Sequence, residues 1–131
     1  MGVLDKVTVG LRGEKIVTVT HDMTVQHFLS TMPAVYSTPI MILHMEMAGT
    51  ASIAPLLPEG HVSVGMGVNV KHLAATPVGR EVKIASKVVE VAPRSVLFEV
   101  EAWDGDRKIG EGTHRRGVVD MTKFEKRFGV S

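Results

Sequence analysis

The sequence runs to 131 residues, 44% of them hydrophobic and 22% charged, one domain's worth of core-forming material in the balance of a soluble globular protein. Fifteen Lys plus Arg against fourteen Asp plus Glu leave a formal charge of +1, too small for general adhesion to nucleic acid or an anionic membrane, and an aromatic content of 5% argues against base stacking. The absence of cysteine excludes disulfides, thiolate metal sites and a cysteine nucleophile, and fits a reducing cytoplasm.

The N-terminus has no apolar stretch to serve as a secretory signal, and Lys6 stands where an N-myristoylation motif after Gly2 wants Ser or Thr. Residues 14–20 are rich in β-branched side chains and predict a first strand. Residues 21–37 are less regular, with Pro33 barring a continuous helix. Thr38-Pro39 then reads as a helix start, with Thr as cap and Pro at the first helical position. Residues 40–54 hold Met, Leu and Ala with few β-branched residues, which favours helix. Apolar side chains surround this helix on every side, so it should be buried on most faces. The apolar run over residues 39–57 is not a membrane span, because it carries His44, Glu46 and Pro55.

Beyond Pro55, Pro58 and Gly60 the texture changes to period two. Val62, Val64, Met66, Val68 and Val70 alternate with small or polar residues in a half-buried strand. A turn at Thr76-Pro77-Val78-Gly79 leads to a strand over residues 82–91, and Pro93-Arg94 to one over residues 96–102. Asp104-Gly105 signals a hairpin into a last strand over residues 108–121, followed by a basic tail with a short helix. One strand and one buried helix thus precede four consecutive antiparallel strands. A helix apolar all round needs a sheet wrapped about it, which predicts the α+β hotdog fold: a curved antiparallel β-sheet around one long central helix, as a single domain over residues 1–131.

Glu46 lies in an apolar helix, where a carboxylate is costly unless it is paired, reaches solvent at a gap in the sheet's cover, or is needed for chemistry. His44, two positions away, points to nearly the opposite side and reads as a satisfied core or subunit-contact histidine. Thr38 is adequate as a cap, yet a helix N-terminus also suits a developing oxyanion. Thr38 and Glu46 are eight residues apart, about 12 Å of helical rise, so a substrate or a neighbouring chain would have to link them. His72 continues the even-numbered series and should face inward with the valines, an acid/base partner for Glu46, unless the strand ends at Lys71. Gly65-Met66-Gly67 lacks the setting of a dinucleotide fingerprint and marks a bulge or a close backbone approach. The six histidines lack zinc spacing, no metal or cofactor is called for, and no Gly-x-Ser-x-Gly elbow exists. Arg115-Arg116 with Lys123, Lys126 and Arg127 reads as a solvated basic surface.

Three motifs together resemble the fluoroacetyl-CoA thioesterase group of hotdog enzymes: Thr38-Pro39-Ile40-Met41, Met45-Glu46-Met47-Ala48 and Val70-Lys71-His72-Leu73-Ala74-Ala75-Thr76-Pro77-Val78-Gly79. Asp104-Gly105 and Ile109-Gly110-Glu111-Gly112-Thr113-His114-Arg115-Arg116 extend the likeness, which spans residues 33–124. The resemblance implies a catalytic set of Thr38, Glu46 and His72, with Gly65 and Arg116 at the substrate. It also implies a homodimer with sites at the subunit interface. The group carries phenylalanines where this chain has Leu29 and Met32, so a roomier acyl site is expected. The expected activity is hydrolysis of a short or branched acyl-CoA by a cytoplasmic enzyme, with no nucleic-acid or membrane partner. The alternative is a hotdog module that binds acyl thioesters without turning them over.

Overall fold

Alternation of buried and exposed side chains builds most of the molecule. The computed structural model describes residues 2–130. Strand β1 (Arg12–Thr18) leads through a 3₁₀ turn (His21–Met23) and a short helix α1 (Val25–Phe28) to the long helix α2 (Thr38–Ile53). Four strands follow, β2 (His61–His72), β3 (Glu81–Val91), β4 (Ser95–Asp104) and β5 (Arg107–Asp120), and the chain closes with helix α3 (Met121–Phe128). All strand pairs are antiparallel, in one sheet of order β1-β3-β4-β5-β2. The strands therefore do not lie in simple succession. β3, β4 and β5 form a meander, whereas β2 crosses to the far edge and pairs only with β5.

Helix α2 packs on the inner face of the sheet, touching β1, β2, β3 and β4. Met41, Met45, Ala48 and Ile53 interlock with Val82, Ile84 and Val88 of β3 and with Val96, Phe98 and Val100 of β4, all buried. Each of these side chains other than that of Ala48 is worth about 1.5–3 kcal/mol in apolar area removed from water. Gly49 allows the Phe98 ring close to the helix; a Cβ there would lie 3.4 Å from it. The helix is covered on most faces, and one side stays open. Pro39, Leu43, Met47 and Ala51, spaced by one turn, form an exposed stripe. No helix among the described residues is long and apolar enough to cross a membrane.

Local chemistry sets the ends of the elements, in places one residue from where the sequence puts them. Ser37, not Thr38, holds the cap position of α2, and its hydroxyl caps nothing. Thr38 and Pro39 are the first helical residues, as suits a Pro without an N–H. The β4–β5 hairpin turns on Gly105-Asp106, closed by the Asp104–Arg107 pair, with Gly105 at φ +63°. Asp120 accepts from the Lys123 amide at 3.1 Å to start α3, and Gly129 at φ +66° ends it.

The most consequential departure is in β2. Gly65 pairs with Arg116 and Gly67 with Arg115, so Met66 is an extra residue, a β-bulge. The bulge breaks the even-numbered series. Val68 pairs with the buried His114 and shares the inner face with Val70 and His72. Before the bulge the inner positions are Ser63 and Gly65, while Val62, Val64 and Met66 point to the outer face. Met66 packs there over Gly117, where an added Cβ would lie 2.8 Å from its sulfur.

Candidate active site

Two clusters of functional side chains stand on the inner side of β2. The first joins Thr38, at the start of α2, to His72, the last residue of β2, with Thr38 Oγ1 2.7 Å from His72 Nδ1. The strand thus reaches His72, which is paired with Gly110 and faces inward. Burial holds the His72 imidazole below the ordinary histidine range, so it is neutral at pH 7. Its Nε2 is buried without a hydrogen-bond partner among the described residues. The Tyr36 ring stands edge-on to His72, centroids 6.4 Å apart. A cavity of about 300 Å³ opens beside the pair, lined by Val25, Val35, Tyr36, Leu73, Ala74 and Ala75. Because the Ser37 hydroxyl caps no amide, the N–H end of α2 is free to meet an acceptor beside Thr38.

The second cluster forms around Glu46, half-buried two turns along α2. Arg116 Nη1 donates to Glu46 Oε2 at 3.3 Å, Arg116 Nε to Ser63 Oγ at 2.8 Å, and Arg116 Nη2 to the Ser63 carbonyl at 2.9 Å. His114 Nε2 lies 3.0 Å from Arg116 Nη1. Gly65 is where these groups converge. A Cβ at this position would lie 2.9 Å from Glu46 Oε2, 3.7 Å from His114 Cε1 and 3.8 Å from Arg116 Nη1. Both readings of Gly65-Met66-Gly67, bulge and close approach, therefore hold at once. Arg116 is buried in this network rather than solvated, while Arg115 faces outward to Ser95 and Glu90.

Within the chain the two clusters do not touch. His44 belongs to neither: it is buried, and its Nδ1 meets the Tyr36 hydroxyl. Burial, with Lys15 nearby, holds His44 below its ordinary range, and burial pushes the Tyr36 phenol up, so both are neutral. Leu29 and Met32, 59% and 42% exposed, line neither cluster. A larger cavity of about 560 Å³ lies under α3 on the outer face of the sheet and contains none of the predicted site residues.

The family model for the fluoroacetyl-CoA-specific thioesterase matches residues 19–122. The chain belongs to that family. It is 36% identical over 117 residues to the fluoroacetyl-CoA thioesterase of Streptantibioticus cattleyicolor, covering 80% of this chain and 84% of the relative. Among solved structures, a phenylalanine-to-alanine mutant of the fluoroacetyl-CoA-specific thioesterase in complex with fluoroacetate and CoA superposes with a TM-score of 0.84, at 35% identity, over 90% of this chain and 99% of that one. A hot-dog-like protein from Thermanaerovibrio acidaminovorans gives a TM-score of 0.90 at 26% identity, over 98% and 96% of the two chains. The fold is the hotdog, and the chain is an acyl-CoA thioester hydrolase of this thioesterase family.

Sequence reasoning named Thr38, His72, Glu46, Gly65 and Arg116 but passed over Ser63 and His114. Both were within reach of strand parity. Ser63 stands two residues before Gly65 and His114 two before Arg116, which places each on the same face as its neighbour.

Proposed function

We propose that this member of the thioesterase family hydrolyses short or branched acyl-CoA thioesters at a site completed by a second copy of the chain. Thr38, Glu46 and His72 form the catalytic set, and Gly65, Arg116, Leu29 and Met32 surround the substrate. The observation that carries the reading is the 2.7 Å contact between Thr38 Oγ1 and a neutral His72 Nδ1 at the uncapped start of α2. The helix terminus polarises the thioester carbonyl and stabilises the oxyanion. His72 Nδ1 takes the proton of the attacking oxygen, which belongs to Thr38 or to a water it holds. The new C–O bond forms, the C–S bond breaks, and the proton passes to the departing thiolate. Where Thr38 is the nucleophile, a water then attacks the acyl-threonine ester with His72 again as base, and the acyl–oxygen bond breaks to release the acid and restore the hydroxyl. Glu46 supports the transient imidazolium with its negative charge.

Glu46 can reach His72 only across subunits, and β2 supplies the route. Its outer edge is unpaired and twelve residues long, with Val68 47% exposed, a template for another strand. Two copies of one strand paired about a two-fold axis match residue i with j and j with i, and paired residues must share a face. Gly65 and His72 share the inner face only because Met66 is bulged out between them. A two-fold axis at Asn69 then sets Val68 opposite Val70 of the partner subunit and brings Gly65, with Glu46 and Arg116 behind it, towards His72 of the partner subunit. The same reading takes residues 1–131 as one domain working in the cytoplasm, for which the lack of cysteine is the support.

The acyl group follows from Leu29 and Met32. Neither presents the flat ring that the family resemblance leads one to expect there, and an apolar pocket separates near-isosteres by only about 1–3 kcal/mol per methylene-sized difference. Released thiol is measured with fluoroacetyl-, acetyl- and isobutyryl-CoA. We expect all three to be hydrolysed, with kcat/KM for fluoroacetyl and acetyl within roughly tenfold of each other. A preference for fluoroacetyl by several orders of magnitude overturns the substrate assignment. Binding of all three without thiol release overturns the catalytic one in favour of a binding module.

A further inference from the structure

His114 is 1% exposed and stands beside Arg116 in the second cluster. Its ring stacks on Phe98 of β4, with centroids 6.2 Å apart and planes 21° apart, which fixes the plane of the imidazole. Its two nitrogens then meet partners that leave no freedom of tautomer. Nδ1 faces the Gly67 carbonyl at 3.2 Å, and a carbonyl only accepts. Nε2 faces Arg116 Nη1 at 3.0 Å, and a guanidinium only donates. Both ends demand the neutral ring with its proton on Nδ1 and its lone pair on Nε2.

From this geometry we infer that His114 is a positioning residue: as a neutral acceptor it aims the Arg116 guanidinium at Glu46 and ties it to the far side of the Met66 bulge. The two N–H groups of Arg116 Nη1 divide between Glu46 Oε2 and His114 Nε2, while Nε and Nη2 hold Ser63. Ser63 anchors the guanidinium before the bulge and Gly67, through His114, after it. The ring therefore sets the spacing between Arg116, Glu46 and the space at Gly65. The inference rests on the functional reading above for its catalytic consequence and on geometry alone for the tie.

The charged groups that face His114 are Glu46 from α2 and Arg116 from its own strand; β2 presents the Gly67 carbonyl and β4 the Phe98 ring. Glu46 Oε2 is 4.0 Å from Nε2, an ion-pair distance, but Nε2 carries no proton in this arrangement and Arg116 Nη1 stands between the two. A protonated ring would put a second positive donor against the guanidinium. Burial first, and then Arg116, hold His114 below its ordinary range, outweighing the opposing pulls of the Gly67 bond and Glu46.

The test uses the intact wild-type protein and two conservative variants. Nitrogen NMR of the wild-type imidazole at pH 7.5 should show a neutral His114 protonated at Nδ1. His114→Gln keeps an acceptor at the position of Nε2, whereas His114→Asn keeps only a donor for Gly67. We expect His114→Gln to leave the Arg116 side-chain N–H signals as slow-exchanging as in the wild type and His114→Asn to release them. Acyl-CoA turnover should follow: kcat within about threefold of wild type for Gln and lower by roughly tenfold or more for Asn, at similar Tm and KM. A His114 that is protonated at pH 7.5 or carries its single proton on Nε2, or Arg116 signals that do not distinguish the two variants, overturns the inference. A wild type that hydrolyses no acyl-CoA refutes the functional reading, while the Arg116 signals still decide the tie.

Discussion

Neither the Ser37 nor the Thr38 hydroxyl caps the start of α2. Ser37 occupies the cap position, and the Thr38 hydroxyl is turned to His72 instead. Chemistry and helix stability can therefore be separated at Thr38. In the proposed mechanism Thr38→Ser keeps most of the activity, while Thr38→Val, of nearly the same shape, lowers kcat by about 10²-fold or more. Its Tm should stay within a few degrees of wild type, since no capping bond is lost. Full turnover by Thr38→Val in the thiol-release assay would remove the hydroxyl from the mechanism. At the second cluster, Glu46→Gln should cost about 10²-fold in kcat without unfolding the chain. Gly65→Ala should cost less but in the same direction, because its Cβ would lie 2.9 Å from Glu46 Oε2 and the half-exposed carboxylate can swing aside. Circular dichroism and kcat measured side by side check both; wild-type turnover in Glu46→Gln refutes the assignment. At this scale the sequence was legible where chemistry and burial disagreed. A carboxylate amid Met and Leu announces itself, whereas His114 hides in a run of polar residues and shows its use only when strand pairing puts Gly67 and Arg116 at its two nitrogens.

Among the elements, the helix and the period-two strands could be read from the chain, because side-chain alternation records which face a residue takes. It does not record which strand lies beside which. The crossing of β2 to the outer edge, next to β5 rather than β3, left no mark in the hydrophobic pattern. The two glycines signal a bulge or a close backbone approach, but not the effect on parity: one extra residue reverses every inner and outer position before it. His72 was placed correctly because it lies beyond that point. Nor could the pattern show that α2 keeps an open stripe at Leu43 and Met47, since an all-round apolar helix does not say which side its own sheet leaves uncovered. The two-fold pairing proposed for β2 has a direct test. The chain has no cysteine, and Asn69 would face Asn69 of the partner subunit across the axis. Opposed Cβ atoms in such a pair are about 4.5–5.5 Å apart, within reach of a disulfide after slight adjustment. Asn69→Cys should therefore form a covalent dimer under mild oxidation, seen on a non-reducing gel, and remain active. Failure to cross-link, with the wild type sedimenting as a monomer, refutes the shared site.

For the molecule as a whole, the buried histidines link folding to pH. His44 and His114 are held below the ordinary histidine pKa in the folded state, chiefly by burial. In the unfolded chain each titrates near 6.5. As pH falls through 6.5 the unfolded chain takes up protons that the folded protein refuses until a lower pH, so stability declines across that window. Each histidine contributes up to about 1.4 kcal/mol per pH unit there, and neither contributes a slope well above pH 6.5. The carboxylates held low by their partners, Glu101 by Lys108 and Asp120 by the Lys123 amide, lose their contribution only below their ordinary range, so the two windows separate. Urea denaturation at pH 7.5, 6.5 and 5.5 should give a falling series, less steep in His44→Gln. Stability that rises on acidification from 7.5 to 5.5 would contradict the buried neutral state of these rings.

The extra residue at Met66 also makes the length of β2 a constraint separate from its composition. Removing it would turn over the five residues at the start of the strand. Ser63 and Gly65 would face solvent, and Val62 and Val64 would be driven against Arg116 and Glu46, whose charges they cannot satisfy. Met66 itself touches only the outer face, so its identity is free to drift while its place in the chain is not. In a lineage of such proteins, gain or loss of a codon here would be purged even where nearly any replacement of the codon survives.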